Sequence, residues 1–119
     1  QINKSTTKPT TDTNSNTITN DNITKQYVNF SIESIGNFQV EYKEGDTGWI
    51  AMQRAASNHQ FNIKYQIYDF GIYIRSIANC EPTGNSYWSL YHNGEYSMIG
   101  IRDLVVKPND TITWKIETW

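Results

Sequence analysis

The sequence of 119 residues is short of the residue types that build covalent or metal-centred sites. It has one cysteine, Cys80, so no disulfide can form within the chain and no thiol pair can form a zinc or redox motif. Its two histidines, His59 and His92, have no second histidine at metal-ligand spacing. We therefore expect neither a disulfide-stapled scaffold nor a protein metal site.

The sequence also lacks an excess of positive charge and any long hydrophobic run. Ten basic residues face twelve acidic ones, which leaves a net charge of -2 and no field that would hold phosphates. Nucleic-acid binding is therefore not expected. No apolar stretch approaches the roughly 18 residues of a membrane span, and none near the start resembles a secretion signal. Because the sequence begins at Gln1, we expect a mature or trimmed product whose export signal has been removed.

Residues 1–26 form a segment of a different composition from the rest. They consist mainly of Thr, Asn and Ser, with only three isoleucines as sizeable apolar groups, and cannot bury enough surface to offset the entropy of ordering. This composition predicts a flexible spacer that holds the domain at residues 27–119 away from a membrane or cell wall. The alternative is an N-terminus without a role. With the spacer, we expect an extracellular protein anchored to the cell surface.

From residue 27 onward the hydrophobic pattern changes to alternation, with one helical interruption. It predicts a hairpin that turns at Gly36 and Asn37, a helix that begins after Asp46 or Thr47 and ends near Asn58, and later strands. The strands are expected at 61–67, with one buried face, then at 72–77, 87–92, 95–99 and 111–116, with a tight turn at residues 93 and 94. The order predicts an α+β, β-grasp-like fold: one helix packed on a mostly antiparallel sheet, with an additional C-terminal hairpin.

Catalytic constellations are not found in the sequence. Ser76, Ser89 and Ser97 lie in strand patterns without a nucleophile elbow, and the acidic residues are scattered through turns and edges. The seven glycines stand singly, so no phosphate-binding loop is present. We therefore expect a protein that is not an enzyme.

Aromatic residues are concentrated between residues 72 and 98, in two segments that a small sheet should bring side by side. Strands expose alternate faces, so Tyr73, Trp88, Tyr91 or Tyr96 can remain on a broad outer surface while their neighbours fill the core. Such a surface would suit a flat ligand. The alternative is that these side chains form an ordinary half-exposed sheet.

Residues 27–119 resemble the C-terminal β-domain of the cobalamin carriers transcobalamin and intrinsic factor, and the related bacterial transcobalamin-like domains of the DUF4430 type. The order and spacing of five segments carry the resemblance: Gly45 with the helix at 49–56, GIYIRSI at 71–77, YWSL at 87–90, GIRD at 100–103, and a final strand that ends on Trp119. In that family the β-domain closes over one face of the corrin ring, while a larger helical domain, which these 119 residues do not include, holds most of the molecule.

The resemblance implies a set of ligand contacts. By position, Ile74 and Leu90 correspond to apolar contacts, and Ser76 to a hydroxyl that can bond a corrin amide. Ser97 stands where the carriers have an apolar residue, so the contact there is expected from Ser97 or from its neighbours. The full expected set is Ile74, Ser76, Trp88, Leu90, Tyr96, Ser97, Met98, Tyr73 and His92.

His92 belongs to this set for a different reason, since a histidine at this position is not inherited from the resemblance. The turn at residues 93 and 94 places it near a hairpin tip, and a neutral imidazole is a good ligand for cobalt. The alternative is a solvated hairpin histidine. The predicted function is non-enzymatic binding of cobalamin or another corrinoid, as a ligand and not a catalytic cofactor, with a helical partner domain or transporter. The alternative function is surface adhesion to protein or glycan.

Overall fold

A computed structural model describes residues 24–119 of the protein. Most of the spacer predicted at residues 1–26 lies outside the described residues. Its last residue joins the domain, because the Gln26 carbonyl accepts a hydrogen bond of 2.7 Å from the Tyr42 amide. The elements are β1 (Tyr27–Ile32), β2 (Gly36–Glu41), α1 (Gly48–His59), β3 (Ile63–Tyr68), β4 (Gly71–Ile77), β5 (Ser86–His92), β6 (Glu95–Tyr96) and β7 (Thr111–Thr118).

The strands form two sheets and not the single sheet that the pattern predicted. Five strands pair in the order β2-β1-β7-β5-β6, and β3 pairs with β4 in a separate two-stranded sheet. The β1–β7 pair is parallel and the other pairs are antiparallel. A parallel neighbour requires a long crossover, which the chain between β1 and β7 supplies. The predicted α+β architecture, with one helix in the described part of the chain, is confirmed.

The core lies between the inner face of the five-stranded sheet and α1. Val28, Phe30 and Ile32 of β1 are buried, as their alternation predicted, and alanines on α1 allow the helix to lie close to them. The helix begins after Thr47, whose hydroxyl accepts a hydrogen bond of 3.3 Å from the Ile50 amide. The first residue of the helix is Gly48, where a side chain would be too close to the core because its Cβ would stand 2.7 Å from the Ile101 Cδ1 atom.

The two predicted hairpin turns have different outcomes. The turn at Asn93 and Gly94 is confirmed, and both residues have the positive φ angles, 51° and 89°, that a tight two-residue turn requires. The turn predicted at Gly36 and Asn37 is wrong by three residues. Glu33 to Ile35 form the loop, with Ser34 at a φ of 68°, and Gly36 already pairs with Ile32.

The buried face predicted for β3 is wrong. Tyr65 and Ile67 are 43% and 68% exposed, although the paired strand β4 contributes Ile74 and Ile77 to the core, and within residues 24–119 no further sheet or helix layer buries this face of β3. Only Ile63, at the start of the strand, is half-buried. The ring of Trp49 on α1 packs edge-on against Tyr65 at 4.7 Å, and Arg102 bonds the turn of the hairpin through the Asp69 carbonyl at 3.2 Å.

The free edge of β2 is covered by side chains of α1. Arg54 donates 2.9 Å to the Glu41 carbonyl, and the His59 Nε2 atom lies 3.0 Å from the Gln39 carbonyl. Arg54 also binds both carboxylate oxygens of Asp46, at 2.7 and 2.9 Å. These bonds are the main reason that the pKa of Asp46 is lowered, and they outweigh the opposing effect of burial. Edge groups that are capped in this way are not available to another strand.

Candidate ligand-binding groove

A groove of about 270 Å³ lies between β4 and β5 and is bounded on its outer side by residues 96–101. It forms because β5 pairs with β6 only through Tyr91 and His92, so the first part of β5 has no neighbouring strand on that side. Among the described strands β4 is paired only with β3, and its residues 72–74 line the groove together with residues of β5. The lining residues are Ile72, Tyr73 and Ile74, then Tyr87, Trp88, Ser89 and Leu90, then residues 96–101, and Trp114.

The floor of the groove is part of the hydrophobic core. Ile74, Trp88 and Leu90 are buried there together with Trp114, which pairs with Leu90 in register. The Trp88 indole is fixed by a hydrogen bond of 3.1 Å that its Nε1 atom donates to the Cys80 carbonyl. A floor with these contacts is held in shape before any ligand arrives.

The rim of the groove is exposed and apolar. Met98 is 88% exposed, and Tyr73, Tyr96 and Ile99 are also exposed. Ser97 anchors this segment, because its amide donates 2.9 Å to the Leu90 carbonyl and its hydroxyl donates 2.6 Å to the Ile99 carbonyl. In the free protein the rim is therefore a solvent-exposed surface of large side chains.

Seven of the nine predicted site residues line this one groove: Tyr73, Ile74, Trp88, Leu90, Tyr96, Ser97 and Met98. Ser97 and its two neighbours, Tyr96 and Met98, which were expected as alternative contacts, all line the groove. Ser76 is not brought to the groove. It is 1% exposed and lies beyond the irregularity at Arg75, where the register with β3 shifts by one residue. A side chain buried in this way does not offer its hydroxyl to a ligand.

His92 is also absent from the groove lining, and it is not a solvated hairpin residue either. Its Nε2 atom lies 2.8 Å from a carboxylate oxygen of Asp110, which also accepts hydrogen bonds from the Asn93 side chain and the Lys107 amide. Burial acts most strongly on the pKa of Asp110 and raises it, but these hydrogen bonds together lower it further, so the pKa lies below the usual value. His92 therefore ties the hairpin to the start of β7.

Other residues that line the groove were not predicted from the sequence. The return strand expected at 95–99 ends at Tyr96, and the chain from Ser97 to Ile101 leaves the sheet and borders the groove instead. Trp114 lies in the last strand, far from the other lining residues in sequence. Its alternation with Ile112 marked it as inward-facing, but only the register with β5 shows that it lies beside Leu90.

The groove can contact a ligand through its shape and its apolar surface, and not through charge. None of its lining side chains carries a charge. Within residues 24–119, no three His, Cys, Asp or Glu side chains cluster in a way that could hold a metal ion. The one helix of the described region is not long and apolar enough to cross a membrane.

Comparison with solved structures identifies the class of fold. The structure of haptocorrin in complex with Cbi matches with a TM-score of 0.65 and 24% identity over 82% of this chain. A candidate metal-binding protein from Ruminococcus gnavus ATCC 29149 matches with a TM-score of 0.54 and 10% identity, over 80% of this chain and 97% of that one. The protein therefore has a transcobalamin-like fold. It spans only 27% of the haptocorrin chain.

The family follows from a match to a sequence model. Residues 48–118, more than half of the chain, match the family described as "Domain of unknown function (DUF4430)". The chain belongs to this family. No curated protein sequence matches it.

Proposed function

We propose that the protein is a non-enzymatic binding module that recognises a corrinoid through the groove between β4 and β5. One observation carries the proposal: seven residues expected to contact such a ligand come from three separate segments and line a single groove. The fold shared with haptocorrin, whose matched structure is a complex with Cbi, supports the same ligand class.

The groove fits part of one face of a flat, largely apolar ring. Tyr73 and Met98 offer exposed apolar surface on opposite sides of the opening, while Ile74 and Leu90 close the floor. Apolar walls with a few polar groups are the usual lining of a small-molecule site. Here those polar groups include the hydroxyls of Tyr73 and Tyr96, which can bond the amide side chains of a corrin.

The groove contacts one side of the ligand and does not enclose it. Its volume of about 270 Å³ is much smaller than a corrinoid. The strongly exposed Met98 and Ile99 would then cover ligand or a second protein surface. We include in the proposal a partner, either a helical domain or a transporter component, that covers the opposite face of the ligand. The chain spans about a quarter of the haptocorrin chain, which is consistent with a site that needs a further domain.

Calorimetric titration of the full chain with cobinamide and cyanocobalamin tests the proposal. Tyr73→Ala removes a rim side chain, and Tyr65→Ala is its matched control, since both tyrosines are 43% exposed and only Tyr73 lines the groove. We expect Tyr73→Ala to weaken binding about tenfold and Tyr65→Ala to leave it unchanged. Absence of saturable binding by the wild-type chain, or equal losses in both variants, would overturn the proposal.

The proposed location is outside the cell, on the cell surface. The Thr- and Asn-rich composition of residues 1–26 supports it, because such a segment suits a spacer between an anchor and a domain. Protease treatment of intact cells that express the native protein tests this placement. We expect the domain to be released, and a domain that is cut only after cell lysis would contradict it.

A further inference from the structure

A second and larger concavity, of about 480 Å³, lies on the solvent face of the five-stranded sheet, away from the groove. Strands β2, β1 and β7 form it. Its side chains belong to Asn29, Ser31, Asn37, Gln39 and Thr111, and Phe30 and Phe38 complete the lining. The groove residues lie on β4, β5, β7 and the segment from Tyr96 to Ile101, so β7 is the one described strand that both sites share.

The strand register arranges these polar side chains in two rows across the sheet. One row runs from Gln39 through Asn29 to Thr111, and the other joins Asn37 to Ser31 and continues to Thr113, which lies outside the lining. Neighbouring residues in a row are separated by the distance between strands, about 4.8 Å. That spacing is close to the width of a pyranose ring. Successive sugar units laid across the strands would therefore each meet a new pair of polar side chains.

The lining is polar but carries no charge. An ordinary solvated sheet face is rich in lysine and glutamate, whereas every polar lining side chain here is an amide or a hydroxyl. The charged residues nearest along β7 are engaged elsewhere, since the Lys115 ammonium lies 4.4 Å from the centre of the Tyr91 ring and Glu117 accepts 2.7 Å from the Tyr91 hydroxyl. The concavity thus offers no cation for a phosphate or carboxylate ligand.

Two of the three lining amides, those of Asn29 and Gln39, are held in position before a ligand arrives. The Gln39 Nε2 atom donates 2.9 Å to Asn29 Oδ1, which fixes both side chains and leaves the Gln39 oxygen as an acceptor. Within the described residues, the side chains of Ser31, Asn37 and Thr111 make no hydrogen bond to other groups of the chain. Amides and hydroxyls both donate and accept, which matches the paired hydroxyls of a sugar.

From these features we propose that the concavity binds a neutral oligosaccharide laid across β2, β1 and β7. A neutral ligand rich in hydroxyls satisfies the lining, whereas an anion would find no counter-charge and an apolar ligand would bury amides without partners. The inference goes beyond the proposed corrinoid binding and does not depend on it. The domain would then hold a glycan on one surface and the small-molecule ligand on another.

Titration of the full chain with cellohexaose, mannohexaose and chitohexaose tests the inference, with hexagalacturonate as the charged comparison. We expect at least one neutral hexasaccharide to bind more tightly than hexagalacturonate. Gln39→Ala and the isosteric Asn37→Asp should each weaken that binding about tenfold. Gln66→Ala is the matched control, because Gln66 is an exposed strand glutamine on β3, outside the concavity, and this variant should bind as the wild type does.

Three results would overturn the inference. The first is no binding of any neutral hexasaccharide at millimolar concentration, and the second is a preference for hexagalacturonate. The third is a loss in Tyr73→Ala that equals the loss in Gln39→Ala, since it would place the glycan in the groove. Cobinamide affinity should be unchanged in Gln39→Ala. The glycan proposal and the corrinoid proposal can therefore fail independently, and the two titrations distinguish them.

Discussion

Leu90 and Leu104 are two buried leucines that differ in one respect, and the difference gives a quantitative prediction. Leu90 is 9% exposed and forms part of the groove floor, whereas Leu104 is 4% exposed and does not line the groove. Both belong to the core cluster. Substitution of each by alanine removes the same three carbon groups, which contribute about 2 kcal/mol by transfer from water alone.

The two substitutions should differ in the cavity they leave. The space left by Leu104→Ala is enclosed, so the lost contacts add to the transfer term and the total cost should be about 3 to 4 kcal/mol. The space left by Leu90→Ala opens into the groove, where water can enter, so the cost should stay near the transfer term of about 2 kcal/mol. Only Leu90→Ala should weaken cobinamide binding, because only it changes the floor.

Urea unfolding followed by tryptophan fluorescence measures both free energies of unfolding, with the m-value as a check on two-state behaviour. Calorimetry with cobinamide then gives the affinity of each folded variant. The reasoning would be refuted if Leu90→Ala cost as much as Leu104→Ala and left the affinity unchanged. That result would assign Leu90 to the core alone.

Three further predictions address the scaffold around the groove. The pKa of Asp46 is lowered in the fold, so its pairing with Arg54 stabilises above the unfolded value of about 3.8 and is lost as the pH falls through the folded pKa. Arg54→Met should therefore cost about 3 kcal/mol in urea at neutral pH and less near pH 3, and a cost independent of pH would contradict the pairing. Gly48→Ala should lower the melting temperature, because its Cβ would stand 3.2 Å from the Ile101 carbonyl oxygen; a rise would show that the backbone yields. His92→Ala should lower the free energy of unfolding without changing cobinamide affinity. Because His92 lies outside the groove, the ratio of the affinities for aquocobalamin and cyanocobalamin should be the same in this variant as in the wild type.

Local pattern predicted the elements whose signals are complete within a few residues. Thr47 has the side chain that caps a helix, and Asn93 with Gly94 has the conformational freedom of a tight turn, so both were found. The inward face of β1 was also predictable, because alternation reports directly which side chains share a face. Seven of the nine predicted site residues lie together, but several of these were placed by the family resemblance and not by local pattern, and they lie on strands of two separate sheets.

The differences arise where distant parts of the chain decide the outcome. Alternation in β3 showed which side chains share a face but not whether any layer covers it, and Tyr65 and Ile67 are exposed. His92 could be placed beside a turn, but its partner Asp110 lies 18 residues away in sequence and is set by the register of β7. Ser76 is buried like Ile74, as alternation indicated, but the local pattern did not show that it lies outside the groove lining. Register and layering are long-range properties that no local pattern contains.

The most direct test of the central claim is a map of the backbone amide shifts of the isotope-labelled full chain during titration with cobinamide. We expect saturable shifts at residues 72–74, 87–90 and 96–101, which line the groove, and unchanged signals at residues 29–31 and 37–39 on the opposite part of the sheet. Saturable shifts confined to other residues, or none in excess cobinamide, would contradict the claim that this groove is a corrinoid site.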